Sequence, residues 1–349
     1  MEKPKLAIKQ LLFVILIFLG LYVYGPKQTS MFSVSGKTMG TYYVIKSDSQ
    51  NIEKFSNAID DILINFNQIF STYLEDSEIS RWNRRLTTSP QAVSKPLYAL
   101  ARQSKTYCDV SEGYYDVSIQ GLVNAWGFGP KKISSSPSDM EINRLLQSVG
   151  CDKFEILERF QLRKTHKDVQ LDFSSIAKGL AVDNIYQFLV EKGFTNFLVE
   201  IGGELRVSGR PSESRKYYKL GINRPDENSS ATDVAEILLL ENGQALATSG
   251  NYRNMIESDG LKWAHILNPL SGKPQKSDVL SASIVGSTCA EADAMATMAM
   301  SLGSTKAVKI LEQMKLQYLL ITRNVDNGKP QIIRSKNLNW LKYDKNDES

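Results

Sequence analysis

Asp293 and Thr297 are the residues whose types and spacing say most about chemistry. They stand at i and i+4 in the stretch Ser281 to Leu302, SASIVGSTCAEADAMATMAMSL, and so share one face of a helix, surrounded by Ala290, Ala292, Ala294, Met295, Ala296 and Met298. An ionised carboxylate in such surroundings must be paired or bind a metal. A carboxylate with a hydroxyl is a hard donor set, suited to Mg²⁺ or Ca²⁺ rather than zinc. From this stretch alone, a helix cap or a solvent-facing carboxylate would explain Asp293 equally well. A second group lies in LDFSSIAKGLAVDNIYQFLVEKGF, Leu171 to Phe194, which reads as a strand entering a helix through a Ser-Ser turn. Asp172 and Lys178 fall near that helix start, where free backbone N–H groups attract phosphate and a lysine adds a point charge. A third is SEGYYDVSIQGLVNAWGFGP, where Gly113, Gly121, Gly127 and Gly129 punctuate Tyr114, Tyr115, Trp126 and Phe128. Rings on glycine-shaped loops suit stacking on a planar ligand, and they also suit a hydrophobic plug for the core. His265 is one of two histidines, the other being His166 in a Lys-rich turn. Asn268, Pro269 and Gly272 place His265 at the start of a tight turn, and a ring so fixed can be a general base or a structural group.

These groups need a scaffold, and the periodicity supplies one. MFSVSGKTMGTYYVIKS reads as a hairpin of Met31 to Ser35 and Thr41 to Lys46 with Gly-Lys-Thr-Met-Gly as its tip. It is not a P-loop, since the first glycine of that pattern is missing and no helix follows. Ile52, Phe55, Ile59, Ile62, Leu63, Phe66, Ile69 and Phe70 recur at helical steps and predict an amphipathic helix docked on a sheet. STYLEDSEISRWN, Ser71 to Asn83, reads as a polar, capped loop carrying Tyr73. Helices are expected over Lys95 to Cys108 and over Asp139 to Val149, the latter with Ser138 and Glu141 as a capping box and Gly150 as its stop. NFLVEIGGELRVSGR predicts strand, Gly202-Gly203 turn and strand. A similar order recurs after the strand Glu236 to Leu240 and its Glu241-Asn242-Gly243 turn, and again as a helix near Ser304 to Met314 with strands Gln317 to Thr322 and Gln331 to Arg334. The fold class expected is α+β, with mixed and antiparallel sheets, helices packed on one face, and two interlocked subdomains related by duplication.

Composition limits the partners. The chain has 349 residues, a 42% apolar fraction and a formal net charge of +4 that is dispersed, with no basic run interleaved with aromatics, so no nucleic-acid partner is expected. Lys3, Lys5 and Lys9 precede the apolar run from Leu11 to Tyr24, which meets Gly25 and Pro26. That is the pattern of an export signal, or of an uncleaved membrane anchor, over residues 1–27. No cysteine lies near this run, which excludes a lipid-anchored lipoprotein. Cys108, Cys151 and Cys289 are far apart and odd in number, so at most one disulfide forms, and buried free thiols are the expected state.

Taken together, GKTMGTYY, STYLEDSEISRWN, GYYDVSIQGLVNAWGFGP, LDFSSIAKGLAVD, LVEIGGELRVSG, ATSGNYRN, HILNPLSGKP and AEADAMATMAM resemble, in order, the motifs of the FAD:protein FMN transferases, the ApbE-like flavin transferases. The resemblance runs from Gly36 to about Leu302. It implies two T-fold-like subdomains and a transferase domain over 28–340; LKYDKNDES, 341–349, reads from its own composition as a polar tail. It implies a Mg²⁺-dependent reaction in which the FMN half of FAD, the substrate, passes to a threonine of an acceptor flavoprotein and AMP leaves. By similarity the metal ligands would be Asp293 and Thr297 through side chains and Ser175 through its carbonyl. Met39, Tyr73, Tyr114, Tyr115, Asp116, Asp172, Lys178 and Ile266 would contact FAD, and His265 is the candidate proton acceptor. A metal-dependent FAD pyrophosphatase giving FMN and AMP, and a non-catalytic exported flavin-binding protein, are the alternative readings. Acceptors would be redox-complex subunits or exported reductases, and the expected location is the periplasmic side of the inner membrane, or the periplasm. Many relatives carry a lipobox cysteine that this chain lacks.

Overall fold

The computed structural model describes residues 31–342, apart from 131–132, 134, 213–214, 226–232, 251–254, 259–260, 265, 276 and 325–327. The run Leu11 to Tyr24 and His265 therefore lie outside the described residues. Among the described residues no helix is long and apolar enough to cross a membrane.

The scaffold is an eight-stranded sheet. Its strands are β1 (Phe32–Thr38), β2 (Thr41–Ser47), β3 (Phe197–Ile201), β4 (Glu204–Ser208), β5 (Ala245–Gly250), β6 (Val279–Gly286), β7 (Gln317–Arg323) and β8 (Pro330–Arg334). Spatial order follows chain order, and every neighbouring pair is antiparallel. Period-two alternation gives the sheet two dry faces. Ala245, Ala247, Ala282, Ile284, Tyr318 and Leu320 face the helices, while Leu246, Val285, Leu319 and Ile321 join Tyr218, Ile222, Leu238 and Leu240 on the other side. That second layer is a three-stranded sheet of Tyr218–Asn223, Val234–Leu240 and Trp340–Lys342. The expected α+β class, with helices on one face of antiparallel sheet, is what the chain adopts.

Four helices among the described residues cover the first face. Ser56–Phe70, preceded by a 3₁₀ turn over Gln50–Phe55, buries Ile59, Leu63, Phe66 and Phe70. Ala177–Glu191 and Cys289–Leu302 pack against each other and against the middle strands. They are in backbone contact at Gly179, where a Cβ would lie 2.3 Å from the Cys289 carbonyl oxygen. The last helix, Ser304–Gln313, follows directly.

Several local expectations change. The first hairpin turns on two residues, Met39 (φ 50°) and Gly40 (φ 72°), because a tight turn with positive φ at both centres matches strand twist, so both strands extend toward the tip. The polar stretch Ser71 to Asn83 holds most of a helix, Glu78–Arg84, capped by Ser77, whose Oγ accepts from the Ser80 N–H. The glycine-aromatic stretch contains the short helix Gln120–Ala125. Helix Asp139–Leu146 has its Ser138 cap but ends before Gly150. Leu171 to Phe173 carries no strand ladder; Asn83 holds it instead, donating to the Leu171 carbonyl and accepting from its N–H, both at 2.8 Å. Leu341 and Lys342, expected in a polar tail, pair with Val234–Leu240.

The cysteine expectation is corrected most clearly. Cys108 and Cys151 form a disulfide, Cα to Cα 5.7 Å, and only Cys289 stays a buried thiol. The packing of helix Lys95–Val110 beside the turn after Gly150 brings the two together across 43 residues of chain, a juxtaposition that spacing does not encode. Closing a loop of that size constrains the unfolded chain. Replacing both cysteines by serine should lower the free energy of unfolding by about 2–4 kcal/mol in a urea titration; equal stability of variant and parent would show that the bridge does not form in solution.

Candidate functional site

The site forms where helices Ala177–Glu191 and Cys289–Leu302 meet. Their contact at Gly179 lets its N–H reach across and donate to Asp293 Oδ2 at 3.0 Å. One turn later on the first helix, Asp183 returns the interaction: its carboxylate accepts from the N–H groups of Cys289 (3.0 Å) and Ala290 (2.9 Å) at the start of the second helix, and from Arg206 at 2.8 Å. Acidic groups at a helix N-terminus satisfy orphan donors and oppose the positive dipole end. The helix start at Ala177 therefore differs from expectation: its Gly179 N–H is engaged by a carboxylate of the protein and is not free for phosphate.

Asp293 is 3% exposed and lies mid-helix, so neither a cap nor a solvent-facing role applies. Thr297, four residues on, is half-buried and shares a hydrogen bond with Ser249 Oγ on β5 at 3.3 Å. Beside Asp293, the ammonium of Lys178 meets Glu204 Oε2 at 2.5 Å. Glu204 opens β4 directly after the Gly202-Gly203 turn and is 2% exposed. Burial pushes the Asp293 carboxyl up to about 6, against the pull of Lys178 and the Gly179 N–H. Burial, then the charge of Asp293, push Glu204 up to about 8 against Lys178. Burial opposes the Lys178 ammonium, but Glu204 and Asp293 outweigh it and hold its pKa above the ordinary lysine value.

The remaining candidates fall into two sets. Ser175 joins the cluster: its Oγ donates to the Tyr115 hydroxyl at 3.2 Å, and Tyr115 is buried within electrostatic reach of Asp293. Asp172 is buried, and its Oδ1 accepts from the Ser174 N–H (2.8 Å) and hydroxyl (2.5 Å). Tyr73 lies near it, 62% exposed, and donates to the Phe128 carbonyl at 3.1 Å; partial desolvation and the Asp172 charge raise its pKa. The others point to different neighbours. Tyr114 meets Lys306, whose ammonium sits 4.7 Å from the ring centroid. Asp116 is buried against Ser118, which donates to it through N–H and hydroxyl at 2.8 Å, and beside the Cys108–Cys151 bridge. Burial pushes the Asp116 carboxyl up to about 6. Met39 is the hairpin tip, and buried Ile266 accepts from the Gln275 N–H.

The donor set fits a hard divalent cation. Asp293 and the Thr297 and Ser249 hydroxyls all offer oxygen donors. The group also sets two buried carboxyls, Glu204 and Asp293, both raised by burial, against the single cation of Lys178, and a metal ion would stand in for the protons they hold. Sequence reading missed Glu204, Asp183 and Arg206. A carboxylate placed between Gly-Gly and an apolar strand was the available signal for Glu204.

Comparison with known proteins shows the family. Residues 39–320 match the model of the ApbE family. The chain is 34% identical over 312 residues to the FAD:protein FMN transferase of Vibrio cholerae serotype O1, covering 87% of this chain and 91% of that one. It is 34% identical to the Haemophilus influenzae FAD:protein FMN transferase, covering 86% and 89%. The solved structure of flavin transferase ApbE from Vibrio cholerae superposes with a TM-score of 0.80 at 31% identity, covering 88% of this chain and 97% of that chain. With a family match over most of its length, and with relatives and a solved structure aligned nearly end to end, this chain belongs to the ApbE family.

Proposed function

We propose that this protein is an FAD:protein FMN transferase that uses Mg²⁺ and attaches FMN from FAD to a threonine hydroxyl of an acceptor flavoprotein. The observation that carries this reading is the buried Asp293 carboxylate, set on the Gly179 amide beside Lys178 and one turn from Thr297. Asp293 and Thr297 through side chains, and Ser175 through its carbonyl, are the ligands we assign to the cation, which when bound would neutralise charge on the pyrophosphate oxygens. Lys178 adds a fixed positive charge on the same side. Tyr73, at the exposed rim, is suited to lie against the isoalloxazine, and Asp172, Tyr114, Tyr115, Asp116, Met39 and Ile266 complete the FAD pocket in this reading. The acceptor hydroxyl attacks the FMN-side phosphorus, the bridging P–O bond breaks, and AMP leaves with the bridging oxygen. The proton of the hydroxyl passes to His265, our candidate base. The apolar run Leu11 to Tyr24 supports placing the domain at the periplasmic face of the inner membrane or in the periplasm.

The soluble part from about Gln28, mixed with FAD, Mg²⁺ and an acceptor domain bearing such a threonine, should raise the acceptor's intact mass by one FMN residue, and chelator should abolish the gain. Free FMN and AMP with every acceptor unmodified would make the protein a pyrophosphatase, and intact FAD throughout would make it a binding protein. Asp293→Ala should lose transfer and metal dependence together. His265→Ala should keep FAD binding, followed by flavin fluorescence, while transfer drops by about 10²-fold or more; unchanged transfer would remove the histidine from the mechanism.

The site also sets a pH dependence. Asp293 and Asp116 hold protons more tightly in the folded state than in the unfolded chain, so their contribution to stability is present in acid and is lost as pH rises through about 6. The metal-free protein should melt at a higher temperature at pH 5 than at pH 8, and Mg²⁺ should recover part of the difference at pH 8 by binding the native state. Calorimetric scans at both pH values, with and without the ion, check this.

A further inference from the structure

Lys178 has two carboxylates within reach. The next residue, Gly179, donates its N–H to Asp293, so the lysine stem leaves the helix beside the carboxylate assigned to the metal. The charge of Asp293 favours the Lys178 ammonium and disfavours ionisation of Glu204. Yet the ammonium is engaged by Glu204, at 2.5 Å, and not by Asp293. A lysine side chain is flexible and its ammonium is a compact charge, so where it rests is set by its partner. Glu204 is well suited to hold it. The residue is 2% exposed and is the first of β4, paired to Ile201 across the two-glycine turn, so its carboxylate has little freedom to follow the lysine elsewhere.

We propose that Glu204 is a positioning residue that keeps the Lys178 ammonium off Asp293, leaving the Asp293 carboxylate available to a divalent cation while the lysine stays charged beside it for the pyrophosphate. Without Glu204, the ammonium, on a side chain 32% exposed, pairs with the remaining carboxylate, because the Asp293 carboxylate is buried and costly to leave without a cation. Lysine and metal then compete for one ligand. The inference rests on the reading of Asp293 as a cation ligand.

The test is a double-mutant cycle on Mg²⁺ affinity, measured by isothermal titration without FAD or acceptor, on the parent, Glu204→Gln, Lys178→Met and the double variant. Glu204→Gln should weaken Mg²⁺ binding about tenfold or more, and in the Lys178→Met background the same change should cost less than about threefold. Equal losses in both backgrounds would mean that Glu204 acts through its own charge on the ion and would overturn the proposal, as would Glu204→Gln binding Mg²⁺ like the parent. A parent that binds no Mg²⁺ would overturn the reading of Asp293 itself, and the inference with it. If Glu204→Gln does not fold, Glu204→Asp carries the test: it keeps the charge but withdraws it by one methylene, and its loss of affinity should likewise vanish with Lys178→Met.

Discussion

The structure depends on one close approach. Helices Ala177–Glu191 and Cys289–Leu302 touch backbone to backbone at Gly179, where any side chain would run into the Cys289 carbonyl. Only at that separation can the Gly179 amide reach Asp293 and Asp183 reach the first amides of the partner helix. The two contacts have opposite sense, each helix offering a carboxylate to N–H groups of the other, so the pair is clamped in both position and rotation. An alanine-rich second helix suits this arrangement. Its small residues let the helix sink against β5 and β6, and Asp293 is carried into the interior with it.

A carboxylate buried in this way has few options. It can be neutralised by a proton, by a lysine or by a metal ion, and the cluster around Asp293 holds the first two options partly open. Burial raises the carboxyls of Asp293 and Glu204, while Lys178 supplies one charge for two acids. Such a site is electrostatically incomplete as built from the protein alone. Incompleteness of this kind suits the function proposed above, in which a cation held by Asp293 would supply the missing charge beside the substrate's two phosphates. Burying unbalanced charge destabilises the fold locally, and the two dry faces of the sheet offset it elsewhere.

Much of this was legible in the sequence, for physical reasons. Period-two and period-3.6 patterns marked the strands of the sheet and the long helices, because burial on one face imposes those repeats. Asp293 and Thr297 stood out because hard ligands rarely occur in an alanine-methionine helix. Pairings made by chain segments far apart were not legible. Asp183 meets amides 106 and 107 residues away, Gly179 meets Asp293 across 114, and the Cys108–Cys151 bridge depends on how helix Lys95–Val110 docks. Local rules also failed where tertiary partners replaced them: Asn83 stands in for a strand ladder at Leu171, and Lys164 donates to the Asn83 and Arg85 carbonyls where a helix would otherwise end uncapped.

The order of the sheet carries a kinetic consequence. Three of the seven strand pairings, β1–β2, β3–β4 and β7–β8, are hairpins that form from short-range contacts. The junction of β2 with β3 spans the most chain, because Ser47 meets Asn196 across 149 residues, most of them in the segment that bears Tyr73, Tyr114 and Asp172. Closing a loop of that length carries an entropic cost that short hairpins avoid. The Cys108–Cys151 bridge cuts 43 residues out of that loop. In an oxidising compartment the bridge therefore acts as a folding aid as well as a brace, shortening the slowest search the chain has to make.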